Sequence, residues 1–282
     1  MARVLIMANE TIGGQPLIDK VKELQADDPQ LQIVVCVPRT NPRHGNIIYD
    51  EATFQAAQVR VDLARGYLRE QMGIDAVGEV GDPDPYTAAL DAVREWQPSQ
   101  VVVSTKPLAT SGWLRRDLLE RIEDASGLPV HHVTVDIEGE GLPFHETLVV
   151  ANRTTSSDKL LSRLREINSS GGGTHLFIVI VPQSGGGGND FLAARGRLGQ
   201  MLDKLRRDGM LVAGMVGDPD PYTSTLQGVQ FFHIDDIVIS TLGTERSGWL
   251  RADLVERVRR AVRCPVEHVT VEPSSPGAEV PS

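Results

Sequence analysis

The chain has little positive charge, almost no cysteine and no long apolar run. Its 282 residues carry 28 Lys and Arg against 38 Asp and Glu, a formal net charge of −10. Binding a nucleic-acid backbone needs clustered Lys and Arg, so that partner class is excluded. A basic patch for an anionic membrane surface is missing for the same reason. The longest strongly apolar stretch, Leu176–Val181, is far too short to span a bilayer. MARVLIMANE at the start shows neither an extended apolar region nor a small-residue cleavage site, so no secretory signal is expected. Cys36 and Cys264 fall in opposite halves and offer no disulfide framework. A soluble, cytoplasmic protein with no nucleic-acid or membrane partner is the expectation.

The signatures of common catalytic sites are missing too. Gly171–Gly173 and Gly185–Gly188 invite a phosphate-loop reading, but no Lys-Ser or Lys-Thr pair follows either run. Both read as flexible connectors. No G-x-S-x-G elbow occurs, and no Ser, His and Asp fall where one fold would gather them. Cys36 sits within a predicted buried strand and Cys264 directly before Pro265, with no motif that would activate a thiolate. His131 and His132 are neighbours on a predicted strand and point to opposite faces, a poor chelate; His268 stands alone in the other half. No catalytic residue and no metal ligand is assigned, and a non-catalytic role is expected.

What the chain does have is a duplication. GDPDPYT occurs at Gly81–Thr87 and again at Gly217–Thr223, an offset of 217 − 81 = 136 residues. The same offset carries Ser104 to Ser240, Ser111 to Ser247, Trp113 to Trp249, Pro129 to Pro265 and His132 to His268. Upstream, VLIMANE near the start pairs with LVVANRT at Leu148–Thr154, where the offset grows to 152 − 9 = 143. Two domains are expected, residues 1–138 and 144–273, followed by a disordered tail at 274–282. The boundary lies in Ile137–Glu146, IEGEGLPFHE, which has no apolar period.

Each copy alternates short apolar runs with helical patterns. In the first, RVLIMAN, LQIVVCVP, DAVGEV, SQVVVST and PVHHVTV read as strands buried on both faces. Between them QPLIDKVKEL, Asp50–Met72, Thr87–Trp96 and Trp113–Ala125 read as helices. Their apolar stripes are Leu17, Val21 and Leu24, then Phe54, Ala57, Val61, Ala64 and Leu68, and then Leu114, Leu118 and Ile122. This order predicts α/β architecture: two tandem doubly wound parallel-sheet domains of five strands each. GDPDPYT is the turn out of the third strand. Gly81 permits a tight exit, Asp84 can cap the next helix, and Pro85 fits its first position.

The five-strand alternation, the G-x-P turn after the third strand and the closing PVHHV or CPVEHV resemble the universal stress protein family, over essentially both halves. That resemblance implies an adenine-nucleotide-hydrolase-like fold, with ATP or another adenine nucleotide lying across the strand C-terminal ends. The family's phosphate loop after the fourth strand reads G-x2-G-x9-G-[ST], because glycines let backbone amides approach phosphate oxygens. Here the first copy has Ser104, Pro107 and Arg116-Asp117 at those places; the second has Ser240, Gly243 and Ala252-Asp253. An aspartate at the closing position repels a phosphate and cannot donate to it. Asn9 and Asn152 stand after the first strand, where the family commonly has aspartate.

A different motif, S-x6-S-G-W-L-R-x-D-L, is present in both copies. Ser111 with Gly112 and Arg115, and Ser247 with Gly248 and Arg251, could hold a phosphate, sulfate or carboxylate at a helix start. They serve equally well as a serine cap beside a buried Trp and an Arg–Asp surface pair. The candidate ligand-binding residues are therefore Asn9, Ser104, Ser111, Gly112 and Arg115, and Asn152, Ser240, Gly243, Ser247, Gly248 and Arg251. The second copy is the favoured one because of Gly243. The resemblance also implies pairing of domains through their fifth strands, VHHVTV and VEHVTV, making the tandem an intramolecular pseudo-dimer that could itself form a homodimer. The expected function is a stress-response or regulatory protein binding a nucleotide or small anion; the alternative is a ligand-free scaffold for a protein partner.

Overall fold

The computed structural model describes residues 2–39, 50–107, 117–171, 173–243 and 253–272. The chain divides into two compact units, Met1–His145 and Glu146–Ser282. The fold is α/β, with one five-stranded sheet for each copy and helices packed against it. The tail expected at 274–282 lies outside the described residues.

In the first unit, strands β1 (Arg3–Met7), β2 (Gln32–Pro38), β3 (Val77–Gly81), β4 (Gln100–Thr105) and β5 (Val130–Thr134) assemble in the order β3-β2-β1-β4-β5. The paired strands run parallel, with Leu5 beside Val34 and Val101, so β1 is the centre of the sheet. Period-two alternation explains why these strands read as continuous apolar runs. Val4, Ile6 and Ala8 pack on one face with Leu17, Val21, Ala57 and Val61 from helices α1 (Gln15–Asp27) and α2 (Asp50–Met72). Leu5 and Met7 pack on the other with Ala88, Ala89, Ala92, Leu118 and Ile122 from α3 (Pro85–Trp96) and α4 (Leu118–Ser126).

The second unit repeats this plan with β6 (Phe144–Val150), β7 (Thr174–Pro182), β8 (Leu211–Gly217), β9 (Asp236–Leu242) and β10 (Val266–Val271), in the order β10-β9-β6-β7-β8. Helices α6 (Asp158–Ser170) and α7 (Gly188–Arg207) cover one face through Leu160, Leu164, Ala194, Leu198 and Leu205. Among the described residues, the remaining helices of this unit are α8 (Pro221–Phe231) and α9 (Leu254–Ala261).

The repeated turn behaves as its chemistry requires. The Asp84 carboxylate accepts from the Thr87 amide at 3.1 Å and its hydroxyl at 3.0 Å, while Asp82 accepts from the Asp84 amide at 2.8 Å. Asp218, Asp220 and Thr223 reproduce each bond. The glycine is needed for close packing: a Cβ on Gly81 would lie 2.7 Å from the Ala88 Cβ and 2.8 Å from the Cys36 Sγ. The tyrosine of each turn carries an arginine over its ring, Arg121 on Tyr86 at 4.0 Å and Arg257 on Tyr222 at 4.2 Å.

Three sequence expectations change. Phe54, expected in the α2 stripe, is 41% exposed, because the buried face of α2 runs through its neighbour Thr53 and then Ala56, Ala57 and Val61, leaving Phe54 at the edge. The helix expected from Trp113 is described only from Leu118. Its preceding residue Asp117 is in the left-handed region at φ 48°, as Asp253 is at φ 50°, a conformation Asp tolerates better than most residues. The expected linker contains a short helix, α5 (Ile137–Glu140), started by the Asp136 carboxylate on the Gly139 amide at 3.1 Å.

Candidate functional site

In an open parallel sheet, ligands bind outside the strand C-terminal ends where the strand order reverses. That reversal lies between β1 and β4 in the first unit and between β6 and β9 in the second. The crevice therefore falls at Ala8–Thr11 and Ser104–Lys106, and again at Ala151–Thr154 and Ser240–Leu242. Asn9, Ser104, Asn152 and Ser240 all stand here.

The residues at these strand ends are tied across the reversal in the same way in both units. Thr11 Oγ1 donates to the Ser104 carbonyl at 3.2 Å, and Thr154 Oγ1 to the Ser240 carbonyl at 3.3 Å. Each bond fixes the loop after the first strand onto the end of the fourth. Asn9 is 6% exposed and its Nδ2 donates to the Pro38 carbonyl at 2.9 Å, extending the tie to β2. Beyond the serines, Thr105 Oγ1 and His132 Nε2 lie 2.8 Å apart, as do Thr241 Oγ1 and His268 Nε2. Burial pushes both imidazoles below their ordinary range, with Arg259 adding to the effect at His268. Sequence reasoning gave these histidines no partner. Each lies beside the threonine that follows a candidate serine.

Ser104 and Ser240 are each 1% exposed, and among the described residues neither hydroxyl has a hydrogen-bond partner. The Asn152 Oδ1 is likewise buried without one. Buried hydroxyls are ordinarily paired, so the same orphan at the same place in both units needs a reason.

The other candidates stand differently. The Gly243 amide donates to the Val271 carbonyl at 2.9 Å, continuing the β9–β10 ladder, so it is already engaged by the sheet. Pro107, at the corresponding place, has no amide to offer. Ser111, Gly112, Arg115, Ser247, Gly248 and Arg251 lie outside the described residues. Missed by sequence reasoning was the pairing of Glu10 with Lys106 across the first crevice, a contact between residues far apart in the chain. In the second unit Arg153 and Leu242 take these two places, at offsets of 153 − 10 = 143 and 242 − 106 = 136.

Cys36 is fully buried, and its thiol is pushed far up by that burial and by the Glu79 carboxylate beside it. This thiol is unsuited to nucleophilic chemistry. Among the described residues no group of three or more His, Cys, Asp or Glu is placed to hold a metal ion. No described helix is long and apolar enough to cross a membrane.

No family model matches the chain, and no curated protein does. Among solved structures it is similar to a universal stress protein from Archaeoglobus fulgidus DSM 4304, at 14% identity and a TM-score of 0.36, covering 95% of this chain and 96% of that one. It is also similar to PA1789 from Pseudomonas aeruginosa PAO1, described as functionally unknown, at 16% identity and a TM-score of 0.31, covering 96% and 92%. A third is the ADP-heptose lps heptosyltransferase II of E. coli, at 10% identity and a TM-score of 0.27, covering 85% and 78%.

Proposed function

We propose that this chain is a non-catalytic, cytoplasmic regulatory protein of the stress-response type that binds a small anionic ligand, such as an adenine nucleotide, at the C-terminal ends of its parallel strands. The observation that carries the reading is the repeated buried serine. Ser104 and Ser240 each sit at the reversal of a sheet with a hydroxyl that the described residues leave unpaired. A donor kept in such a place is suited to a ligand oxygen or to a water that a ligand engages. The stress-response role follows from the sequence resemblance. The test is native mass spectrometry of freshly purified full-length chain. A bound phosphate-bearing small molecule is expected; a bare chain mass at every preparation contradicts the reading.

A second reading, a ligand-free scaffold, is favoured by the engaged Gly243 amide and the Glu10–Lys106 pair across the first crevice. In it the tandem pairs through β5 and β10, each of which is an edge strand of its sheet. A protein partner copurifying in fixed ratio with an empty chain supports this reading against the first.

A further inference from the structure

We infer that the two crevices are sorted by charge, so that the second unit alone accepts the anion and the first is closed to it by the ion pair between Glu10 and Lys106. This inference rests on the ligand reading above and adds where the ligand binds and how many bind. The two units match closely at the reversal: asparagine, threonine and serine recur at Asn9, Thr11 and Ser104, and at Asn152, Thr154 and Ser240. The Thr-to-Ser-carbonyl bond and the unpaired serine hydroxyl recur with them. Charge is where they part.

In the first unit Glu10 follows the asparagine and Lys106 follows Thr105, and their side chains form an ion pair joining the ends of β1 and β4. The glutamate supplies an internal carboxylate where an incoming anion would need the lysine. An anion entering there must break the pair and then face the released carboxylate, so like-charge repulsion excludes it.

In the second unit the glutamate becomes Arg153 and the lysine becomes Leu242, which removes both members of the pair and leaves one cation of the opposite sign beside Asn152. Arg153 is exposed, and guanidinium is the side chain best matched to phosphate and carboxylate geometry. On the other side stands Glu272, whose Oε1 would lie 3.1 Å from a Cβ on Gly243. It flanks β9 on the β10 side, away from β6. Approach from the β6 side, past Arg153, is therefore the route the charges leave open, and it does not need the Gly243 amide. Binding of one phosphate-bearing anion per chain follows.

The experiment is equilibrium dialysis of nucleotide-stripped full-length chain against labelled AMP, with inorganic phosphate as competitor. Wild type should take up one AMP per chain. Arg153→Glu should weaken uptake by about tenfold to a hundredfold, the range for one charge-assisted contact. Arg153→Lys should retain much of it. Glu10→Arg, which puts the second crevice's cation at that place and frees Lys106 from its carboxylate, should raise uptake toward two per chain. Glu10 and Arg153 are both exposed, so thermal unfolding should show all three variants folded. Two AMP per wild-type chain, or unchanged uptake by Arg153→Glu, overturns charge sorting and leaves the ligand reading standing. No uptake of AMP and no displacement by phosphate in any variant defeats both.

Discussion

Replacing Ser240 by alanine should make the protein more stable and its ligand binding weaker. Ser240 is 1% exposed and its hydroxyl has no partner among the described residues. A buried hydroxyl left unpaired costs about 1–3 kcal/mol relative to one in water or in a hydrogen bond. Removing the oxygen recovers part of that and leaves only a void smaller than a methyl group, for a net gain of about 1 kcal/mol. For a unit of this size that is a rise of roughly 3 °C in the midpoint of its transition. A matched control exists in the same sheet. Thr147 is 0% exposed and its hydroxyl is also unpaired among the described residues, but it lies in the middle of β6, opposite Asp236 at the start of β9 and away from the strand C-terminal ends. The first unit has Val4 at that place, opposite Gln100. Thr147→Val should therefore give a similar gain with no effect on binding. Differential scanning calorimetry and AMP titration on both variants separate the two roles. A loss of more than about 1 kcal/mol in Ser240→Ala would mean the hydroxyl has a structural partner, and the reasoning from an orphan donor would fail.

Asp84→Ala and Asp220→Ala should each lower the stability of their own unit by about 1 kcal/mol, since each carboxylate caps a helix; urea unfolding of the single and double variants checks this. Burial holds His132 and His268 below their ordinary value of 6.5, so the folded state favours the neutral rings. Their contribution is complete above pH 6.5 and is lost as pH falls toward the lowered folded values. His132→Gln with His268→Gln keeps a partner for each threonine and should flatten the slope of stability against pH in that window. Glu79 runs the other way. Burial raises its carboxyl above the usual 4.5, against the indole N–H that Trp96 donates to it at 2.9 Å. Its contribution is complete below pH 4.5 and is lost as pH rises through the raised folded value. Glu79→Gln should stabilise the first unit at neutral pH, and a loss of stability there would contradict this; the second unit already carries apolar Met215 at that place.

The architecture was legible because the chain states it twice. One apolar run of five or six residues is ambiguous between strand and buried helix, but the same order in two halves removes the ambiguity. The GDPDPYT turn was legible down to its cap, since Asp84 and Thr87 are local partners. Contacts between distant residues were not legible. Nothing near Glu10 in the chain announces Lys106, and nothing near Thr105 announces His132; both pairs depend on which strands lie side by side. Phe54 misled for a related reason. Helical spacing marks a stripe, but only the position of the sheet beneath decides which edge of the stripe is covered. The candidate site was half legible: Asn9, Asn152, Ser104 and Ser240 meet at the reversals, whereas Gly243 was chosen for an amide that the β9–β10 ladder already holds.

The most direct measurement is calorimetric titration of the nucleotide-stripped full-length chain with Mg-ATP, ADP and AMP, alongside Ser240→Ala, Arg115→Ala and Arg251→Ala. Saturable heat with accompanying thermal stabilisation, weakened in Ser240→Ala, is the predicted result; a further loss in Arg251→Ala would extend the site to the second SGWLR helix start, while Arg115→Ala, in the closed first unit, should leave binding unchanged. Absence of heat and of thermal stabilisation at millimolar nucleotide would contradict the account and leave the scaffold reading in its place.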